Sequence, residues 1–273
     1  HFQINEGTLW DGKTLYELYG EAYTPWEWHK KLFEVAKEEG IICFSSPFDI
    51  TAVDFLEKLN VPAYKIASFE IQDIPLIEYV AAKGKPIIMS TGIADEDDIK
   101  LAVETCRKVG NNDIFLLKCT SSYPAPFELA NLKTIQDLKL KFEVEVGFSD
   151  HTYGSLAPTV AVTLGAKIIE KHFILHKDIG GPDADFSSDV TEFTEMVKKV
   201  RQAEKLIGEV SYSVSEKVKK NRKFARSLFI VDDVKKGHTI TKENVRSIRP
   251  GNGLHPKYYN EIMGKKFNRN IKK

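Results

Sequence analysis

Short apolar runs alternate with helical segments along residues 41–172, and this alternation constrains the fold more than any other feature of the chain. It is typical of βαβ units, in which a helix connects each strand to a parallel neighbour. Six such runs are visible. They are Ile41–Phe44, Ala63–Ala67, Pro86–Met89, Ile114–Cys119, Val144–Phe148 and Lys167–Phe173.

The segments between the runs keep apolar residues three and four positions apart, which is the period of a helix with one buried face. The predicted helices are Ala52–Leu59, Ile74–Ala82, Asp97–Val109, Leu132–Phe142, Leu156–Leu164 and Glu192–Ile207. Before the first run we expect a short helix near Leu15–Tyr19. A further helix runs to Glu39, with Thr24 as its cap and Pro25 in its first turn.

Polar or small residues follow all six runs, and their placement favours a barrel over an open sheet. A closed parallel barrel assembles its active site from the loops at the carboxyl ends of all its strands, whereas an open sheet concentrates chemistry at one crevice. Because a closed barrel needs eight strands, the sequence predicts an α/β fold, a TIM (β/α)8 barrel lacking its first two βα units in this chain.

The zero net charge conceals two modules of opposite sign. Residues 217–273 hold 17 Lys+Arg and 4 Asp+Glu, whereas residues 1–216 hold 22 and 35. We therefore expect an incomplete barrel domain over residues 1–210, a linker over 211–221 and an incomplete small domain over 222–273. A basic module indicates either nucleic acid or cations supplied to an anionic substrate by docking on the acidic module.

Several classes are disfavoured by what the sequence lacks. It has no apolar stretch of membrane-spanning length and no signal peptide pattern, so we expect a cytoplasmic protein. Its three cysteines, Cys43, Cys106 and Cys119, are too scattered for a disulfide framework and are expected to be reduced. Neither a nucleotide-binding glycine motif nor a hydrolase nucleophile motif is present, so ATP, NAD and covalent hydrolysis are not implied.

Two histidines follow consecutive strands and form a candidate metal site. His151 and His172 would lie at one rim of a barrel, with Asp150 and Glu170 close enough to orient or complete the site. A lone histidine is more often structural, but two in the same register favour a shared divalent cation. Two imidazoles with oxygen donors suit Mn, Mg or Co better than a closed zinc site.

Lysines and hydroxyls at the strand ends form a candidate anion site. A lysine that points into a barrel is costly unless an anion or carboxylate meets it. Lys65 and Lys118 could join a ring of hydroxyls that binds phosphate or carboxylate, or each could form an internal ion pair with Glu70 or Asp150. The hydroxyls are Ser46, Ser90, Thr91 and Ser149. Glu70 and Glu170 could act as acid, base or ligand.

At these strand ends the chain resembles the sialic acid synthase family. The motifs that carry the resemblance are Phe44-Ser45-Ser46-Pro47-Phe48, Tyr64-Lys65-Ile66-Ala67-Ser68, Ser90-Thr91-Gly92, Tyr123-Pro124-Ala125-Pro126, Gly147 to His151 and Glu170-Lys171-His172-Phe173. Gly7-Thr8-Leu9-Trp10 and Leu254-His255-Pro256-Lys257 look most like the pseudaminic acid branch, which makes a bacterial nine-carbon 5,7-diacetamido sugar. Arg249-Pro250-Gly251-Asn252-Gly253 resembles an antifreeze-like (SAF) domain.

The resemblance implies condensation of phosphoenolpyruvate with an N-acetylated amino sugar aldehyde, with C–O cleavage and release of phosphate. It implies a divalent metal, Mn by preference, on His151 and His172. It also implies phosphoenolpyruvate at Ser46, Lys65, Ser90, Ser121 and Ser149. Glu70, Glu170 and Tyr123 are the candidate catalytic residues, and Asp183 with Arg249 would bind the sugar. Arg249 would reach the barrel of a partner subunit in a domain-swapped homodimer.

Two alternatives remain open on the sequence. A synthase for N-acetylneuraminate or legionaminate differs from the first choice only in the sugar it takes. A basic-tailed protein that binds nucleic acid belongs to another class, although its tail lacks interleaved stacking aromatics and any known reading motif. We expect no nucleic-acid partner and no membrane association.

Overall fold

A computed structural model describes residues 2–5 and 11–273 of the chain. The chain divides into two compact units, the first ending at Gly208 and the second beginning at Glu209. The motif Gly7-Thr8-Leu9-Trp10 lies outside the described residues. In the described part of the chain, no helix is both long enough and apolar enough to cross a bilayer.

The first unit contains a five-stranded sheet in which all neighbouring strands are parallel. Its strands lie side by side in chain order, which is the arrangement of successive barrel staves. The strands are β1 Tyr64–Ile66, β2 Ile87–Ser90, β3 Ile114–Cys119, β4 Glu145–Asp150 and β5 Ile168–Lys171. This half-barrel confirms the predicted α/β class.

The first predicted strand, Ile41–Phe44, is wrong. In its place the structure has one isolated parallel bridge, between Ser45 and Tyr64, with a hydrogen bond from the Lys65 amide to the Ser45 carbonyl. Ile41 and Ile42 are exposed. Apolar composition alone does not make a strand, since a ladder needs successive hydrogen-bonded pairs and a buried face.

Nine helices are assigned in the described part of the first unit. They are α1 Leu15–Ala22, α2 Trp26–Glu38, α3 Ile50–Lys58, α4 Ile74–Ala81, α5 Glu96–Lys108, α6 Phe127–Ala130, α7 Thr134–Phe142, α8 Leu156–Thr163 and α9 Val190–Ile207. Pro25, not Thr24, occupies the cap position of α2 and makes no side-chain cap hydrogen bond. The short helix α6 was not predicted, because one turn carries too little periodicity to detect.

The apolar core lies between the sheet and its helices. Successive side chains of a strand point to opposite faces, so every second strand residue packs against the helices. The strand residues of this core are Tyr64, Ile66, Ile87, Met89, Ile114, Leu116, Val146 and Phe148. The alternate strand residues therefore lie on the opposite, concave face of the sheet. They include Lys65, Ser90, Cys119, Ser149 and Glu170.

The second unit is built on an antiparallel pair of strands, β6 Ser227–Ile230 and β7 Val245–Ile248. Two short helices accompany it, α10 Glu216–Lys220 and α11 Tyr259–Ile262. Its separate small core is formed by Leu228, Val234, Val245 and Phe267.

Candidate active site

Lys65 lies on the concave face of β1 and is the cation at the centre of the site. Its side chain is buried, and Nζ donates to Ser90 Oγ at 2.8 Å and to the Ile66 carbonyl at 3.1 Å. Nζ also lies 3.5 Å from Glu170 Oε2 of β5, while Ser149 Oγ donates to Glu170 Oε1 at 2.6 Å. Residues of β1, β2, β4 and β5 thus form one cluster around the buried ammonium group, in which Ser90 and Glu170 contact Lys65 and Ser149 contacts Glu170.

A cavity of about 510 Å³ opens beside this cluster. Ser46, Lys65 and Glu170 line it, and so does Trp26, whose ring stacks on Phe55 with centroids 4.5 Å apart. One side of the cavity is therefore polar and is formed by residues of the strands, and another side is aromatic and is formed at the start of α2. A small polar ligand with anionic groups matches this lining.

Two predicted members of the site lie on the other face of the sheet. Lys118 pairs in register with the core residue Phe148 and faces the helices, where its Nζ bonds the Cys119 carbonyl. Asp150 also faces the helices and forms an ion pair with Lys171. The pleat explains both corrections, because a shift of one residue along a strand moves a side chain to the opposite face.

His151 and His172 follow β4 and β5, and their ring centres lie 5.3 Å apart. Nδ1 of His151 lies 2.9 Å from the Thr120 carbonyl, which can only accept, so this nitrogen carries the proton. Nδ1 of His172 lies 3.4 Å from Asp183 Oδ2. Nε2 of His151 is therefore the nitrogen that keeps a lone pair for a ligand, and the carboxylate beside Nδ1 of His172 favours the same arrangement in that ring.

This donor set fits a catalytic divalent cation. A metal-binding histidine typically donates its other ring nitrogen to a carbonyl or a carboxylate, which are the partners that Thr120 and Asp183 provide. Among the described residues no group of three or more His, Cys, Asp or Glu side chains is arranged to hold a metal ion, so His151 and His172 are the candidate ligands as a pair. Two imidazoles leave coordination positions for oxygen ligands, as an open catalytic site requires.

Tyr123 joins the two histidines on the same side of the sheet. Its ring centre lies 4.3 Å from that of His151 and 6.0 Å from that of His172, and Phe186 packs against both Tyr123 and His172. Burial, together with negative charge at Asp183 and elsewhere in the site, raises the pKa of Tyr123 to about 12. The phenol therefore stays protonated and can donate a hydrogen bond.

Glu70 follows β1 in a short 3₁₀ turn, Ser68–Glu70. Burial raises the pKa of its carboxyl above the ordinary value, and the positive charge of Lys65 opposes the shift. Oε2 of Glu70 is buried without a hydrogen-bond partner among the described residues. A carboxyl group in this condition holds a proton more readily than an exposed one, which suits a general acid.

The sequence analysis did not assign Ser68 or Cys119 to the site, although both lie in it. Ser68 Oγ accepts from the Gly92 amide at 3.1 Å and lies 3.4 Å from Cys119 Sγ. Burial raises the pKa of the Cys119 thiol, but the interactions with His151, Ser68 and Ser149 together outweigh burial and the net direction is downward. The alternation of side chains along β3 could have identified Cys119 as a site residue, because Cys119 pairs with Ser149 and lies on the same concave face.

Two other predicted residues have different surroundings. Ser121 Oγ is buried without a hydrogen-bond partner among the described residues, and it lies close enough to Tyr123 to influence the pKa of the phenol, so it belongs to the same cluster. Arg249 is an exposed residue of the second unit, where it immediately follows β7. Its predicted contact with the sugar stays a prediction.

The chain is similar in sequence to pseudaminic acid synthases and to N,N'-diacetyllegionaminic acid synthases. The chain is 52% identical to a pseudaminic acid synthase of Campylobacter jejuni over 98% of this chain and 78% of that protein. It is 40% identical to an N,N'-diacetyllegionaminic acid synthase of the same species over 89% and 74%. A crystal structure of an N-acetylneuraminic acid synthetase from Leptospira borgpetersenii matches with a TM-score of 0.70 at 33% identity, covering 75% of this chain and 72% of that one.

Family models give the same result for both parts of the chain. The model of the SAF domain matches residues 225–273, and that of the NeuB family matches residues 1–212. The predicted resemblance is thereby confirmed: the chain belongs to the NeuB family and carries a SAF domain at its C-terminal end.

Proposed function

We propose that the chain is a transferase that condenses phosphoenolpyruvate with 2,4-diacetamido-2,4,6-trideoxy-L-altrose, giving pseudaminic acid and phosphate. The observation that carries this choice of sugar is the contrast between two enzymes of one species. Identity is 52% to the pseudaminic acid synthase of Campylobacter jejuni and 40% to its legionaminic acid synthase. Phosphoenolpyruvate matches the buried cation and hydroxyls of the concave face.

Phosphoenolpyruvate binds, in this proposal, where Lys65 is buried among hydroxyl groups. A buried ammonium attracts an anion more strongly than an exposed one, because the surroundings screen the charge less. Ser90 and Ser149 already bond Lys65 and its partner Glu170, so they hold these groups in place before the substrate arrives. Ser46 lines the adjoining cavity, and Ser121 is the fifth residue proposed to bind phosphoenolpyruvate.

The sugar aldehyde lies, in this proposal, between Glu70, Tyr123, Glu170 and Asp183. Carbon 3 of phosphoenolpyruvate forms a bond to the aldehyde carbon, and the aldehyde oxygen takes a proton from Glu70. Water adds to carbon 2, and the tetrahedral carbon then expels phosphate by breaking its C–O bond. Water gives up one proton when it adds to carbon 2, and this proton balances the one taken up by the aldehyde oxygen. Its second proton leaves with the phosphate when carbon 2 becomes a carbonyl.

His151 and His172 would hold the metal, for which we propose Mn. A divalent cation supplies Lewis-acid polarisation of a carbonyl oxygen and orients bound ligands. Thr120 and Asp183 fix the two rings through Nδ1, and Tyr123 packs against His151, so the chain orders the pair by itself.

The proposal includes a domain-swapped homodimer in the cytoplasm, in which Arg249 contacts the sugar bound to a partner subunit. The charge division supports it, because a basic C-terminal module complements an acidic N-terminal one. Arg249→Ala should then raise KM for the sugar and leave KM for phosphoenolpyruvate unchanged in a phosphate-release assay. A raised KM for phosphoenolpyruvate alone contradicts this role.

The direct test is phosphate release from phosphoenolpyruvate in the presence of Mn and a panel of sugars. The altrose derivative should exceed the mannosamine and bacillosamine derivatives by about 10²-fold or more in kcat/KM, because epimers leave buried polar groups unpaired. A higher kcat/KM for a bacillosamine-derived sugar assigns the chain to legionaminate synthesis. A higher value for N-acetylmannosamine assigns it to N-acetylneuraminate synthesis.

A further inference from the structure

The most deeply buried ion pair in the described part of the chain joins Asp150 and Lys171. Their side chains are 0% and 2% exposed, and Nζ lies 2.5 Å from Oδ2. The two residues are direct partners in the register of β4 and β5. Each immediately precedes one of the two histidines of the site.

Both members of the pair also bind the backbone of Thr152. Lys171 Nζ donates to the Thr152 carbonyl at 2.6 Å, and the Thr152 amide donates to Asp150 Oδ1 at 2.8 Å. Asp150 and Thr152 flank His151 in the chain. The network therefore holds the backbone on both sides of this histidine and ties it to the strand that leads into His172.

The pair and the histidines lie on opposite faces of the sheet. Asp150 and Lys171 face the helices, and the alternation of side chains turns the next residue of each strand to the concave face. A change in the distance between β4 and β5 at this level therefore changes the distance between the imidazole rings.

Stability alone does not account for charges at this position. The neighbouring residues on this face, Val146, Phe148 and Ile169, are apolar and belong to the core or pack against it. Well-packed apolar residues often stabilise a protein as well as, or better than, a buried ion pair, because charges lose their hydration on burial. Buried pairs are instead able to specify one geometry.

We propose that Asp150 and Lys171 are positioning residues for His151 and His172. Their ion pair fixes the spacing of the two imidazoles and thereby sets the affinity of these rings for a divalent cation. This inference rests on the proposed metal role of the two histidines. It assigns a function to two residues that touch neither substrate nor cation.

The test compares Mn²⁺ binding by the full chain, without substrates, in the wild type and in the double variant Asp150→Asn with Lys171→Met. The double variant removes both charges together, so no unpaired charge is left buried. Free Mn²⁺ is measured by electron paramagnetic resonance, and the amide exchange rate of Thr152 is measured on the metal-free protein. Thermal unfolding reports whether the variant folds.

We expect the double variant to unfold cooperatively, to exchange the Thr152 amide at least tenfold faster, and to bind Mn²⁺ about 10–100-fold more weakly. The matched control neutralises the half-exposed pair Lys139–Glu145, which also involves β4, and should bind Mn²⁺ as the wild type does. A double variant with wild-type Mn²⁺ affinity overturns the inference, because the pair then serves folding alone.

Asp150→Glu alone keeps the test decisive if the double variant does not fold. It keeps both charges and an acceptor for the Thr152 amide but lengthens the side chain by one methylene, so it should alter the spacing of β4 and β5 and weaken Mn²⁺ binding; unchanged affinity overturns the inference. If the wild-type chain itself binds no Mn²⁺, the proposed metal role fails and this inference fails with it. If the wild type binds Mn²⁺ and the variants bind it equally well, only this inference fails.

Discussion

Lys65 and Glu170 meet across the concave face, with 3.5 Å between Nζ and Oε2, although they come from the two edge strands of the sheet. Three strands separate β1 from β5. In a flat sheet the two edge strands would lie roughly 19 Å apart, since neighbouring strands are about 4.8 Å apart. The sheet therefore curls strongly enough to bring charged groups from both edges into one pocket.

Replacing Lys65 with Met should weaken phosphoenolpyruvate binding by about 2–5 kcal/mol, the usual cost of removing one partner from a buried charged contact. The loss should appear as a higher KM for phosphoenolpyruvate in the phosphate-release assay.

Lys118→Met is the matched control. It removes the same charge from a strand of the same sheet, but from the helix-facing side. KM for phosphoenolpyruvate should then stay within about twofold of the wild-type value. Equal losses in the two variants would show that overall charge, and not the concave pocket, governs binding.

Glu70→Gln should lower kcat by about 10²–10⁴, the usual contribution of a positioned acid or base, with little change in substrate binding. Because burial raises the pKa of this carboxyl, the wild-type rate should fall with increasing pH as Glu70 loses its proton. The pH–rate profile of Glu70→Gln should lack this fall in rate with increasing pH. Near-normal turnover by Glu70→Gln would remove Glu70 from the mechanism.

The same carboxyl should make the wild type less stable than Glu70→Gln at neutral pH. A carboxyl whose pKa is higher in the folded state binds more protons when folded, so the free energy of unfolding falls as pH rises from the unfolded pKa through the folded one. The stabilising effect of Glu70→Gln should therefore appear only above about pH 4.3, the ordinary pKa of glutamate. Thermal unfolding of both proteins at pH 4 and pH 8 measures the difference.

The sequence predicted the fold class because strand and helix periods differ and the two alternate regularly. Five of the six predicted strands appear in the structure. Ile41–Phe44 does not form a strand. Four apolar residues do not show whether a neighbouring strand is available to form the hydrogen-bonded ladder. Helix boundaries shifted by a few residues, as for α7, which begins at Thr134 and not at Leu132.

The candidate site was predicted less completely than the fold. Polar strand ends located Lys65, Ser90, Ser149 and Glu170, which the structure brings together. The face on which a strand residue lies depends on the register of the strand. The sequence at the short strand ends does not determine this register, so Lys118 was predicted on the wrong face. Cys119 was interpreted as a buried apolar residue because cysteine is commonly buried whatever its role.

Replacing His151 and His172 together with Ala should abolish bound Mn in the purified protein, because both imidazole ligands are lost. Elemental analysis after dialysis measures the metal directly. The control is His29→Ala, which removes another buried histidine. His29 lies in α2, and its ring bonds the carbonyl of the cap residue Pro25. Metal content should be unchanged in this control, and undiminished metal in the double variant would contradict the assignment.

Gly92 lies in the loop after β2 and packs against side chains of the site. A Cβ added to it would lie 2.1 Å from Ser121 Oγ, 2.7 Å from Ser68 Oγ and 3.0 Å from Cys119 Sγ. Gly92→Ala should therefore displace these side chains, cost about 1–3 kcal/mol of unfolding free energy and raise KM for phosphoenolpyruvate. Thermal unfolding and the phosphate-release assay measure the two effects.

Gly20→Ala provides the comparison for this prediction, because nothing lies within 4 Å of the Cβ that it adds. Gly20 lies inside α1, where alanine is favoured over glycine by about 0.5–1 kcal/mol, so this variant should be slightly more stable than the wild type and equally active. If Gly92→Ala matched Gly20→Ala in both stability and KM, the loop after β2 would have room to move away from Ser121. The close packing at Gly92 would then not be needed for binding phosphoenolpyruvate.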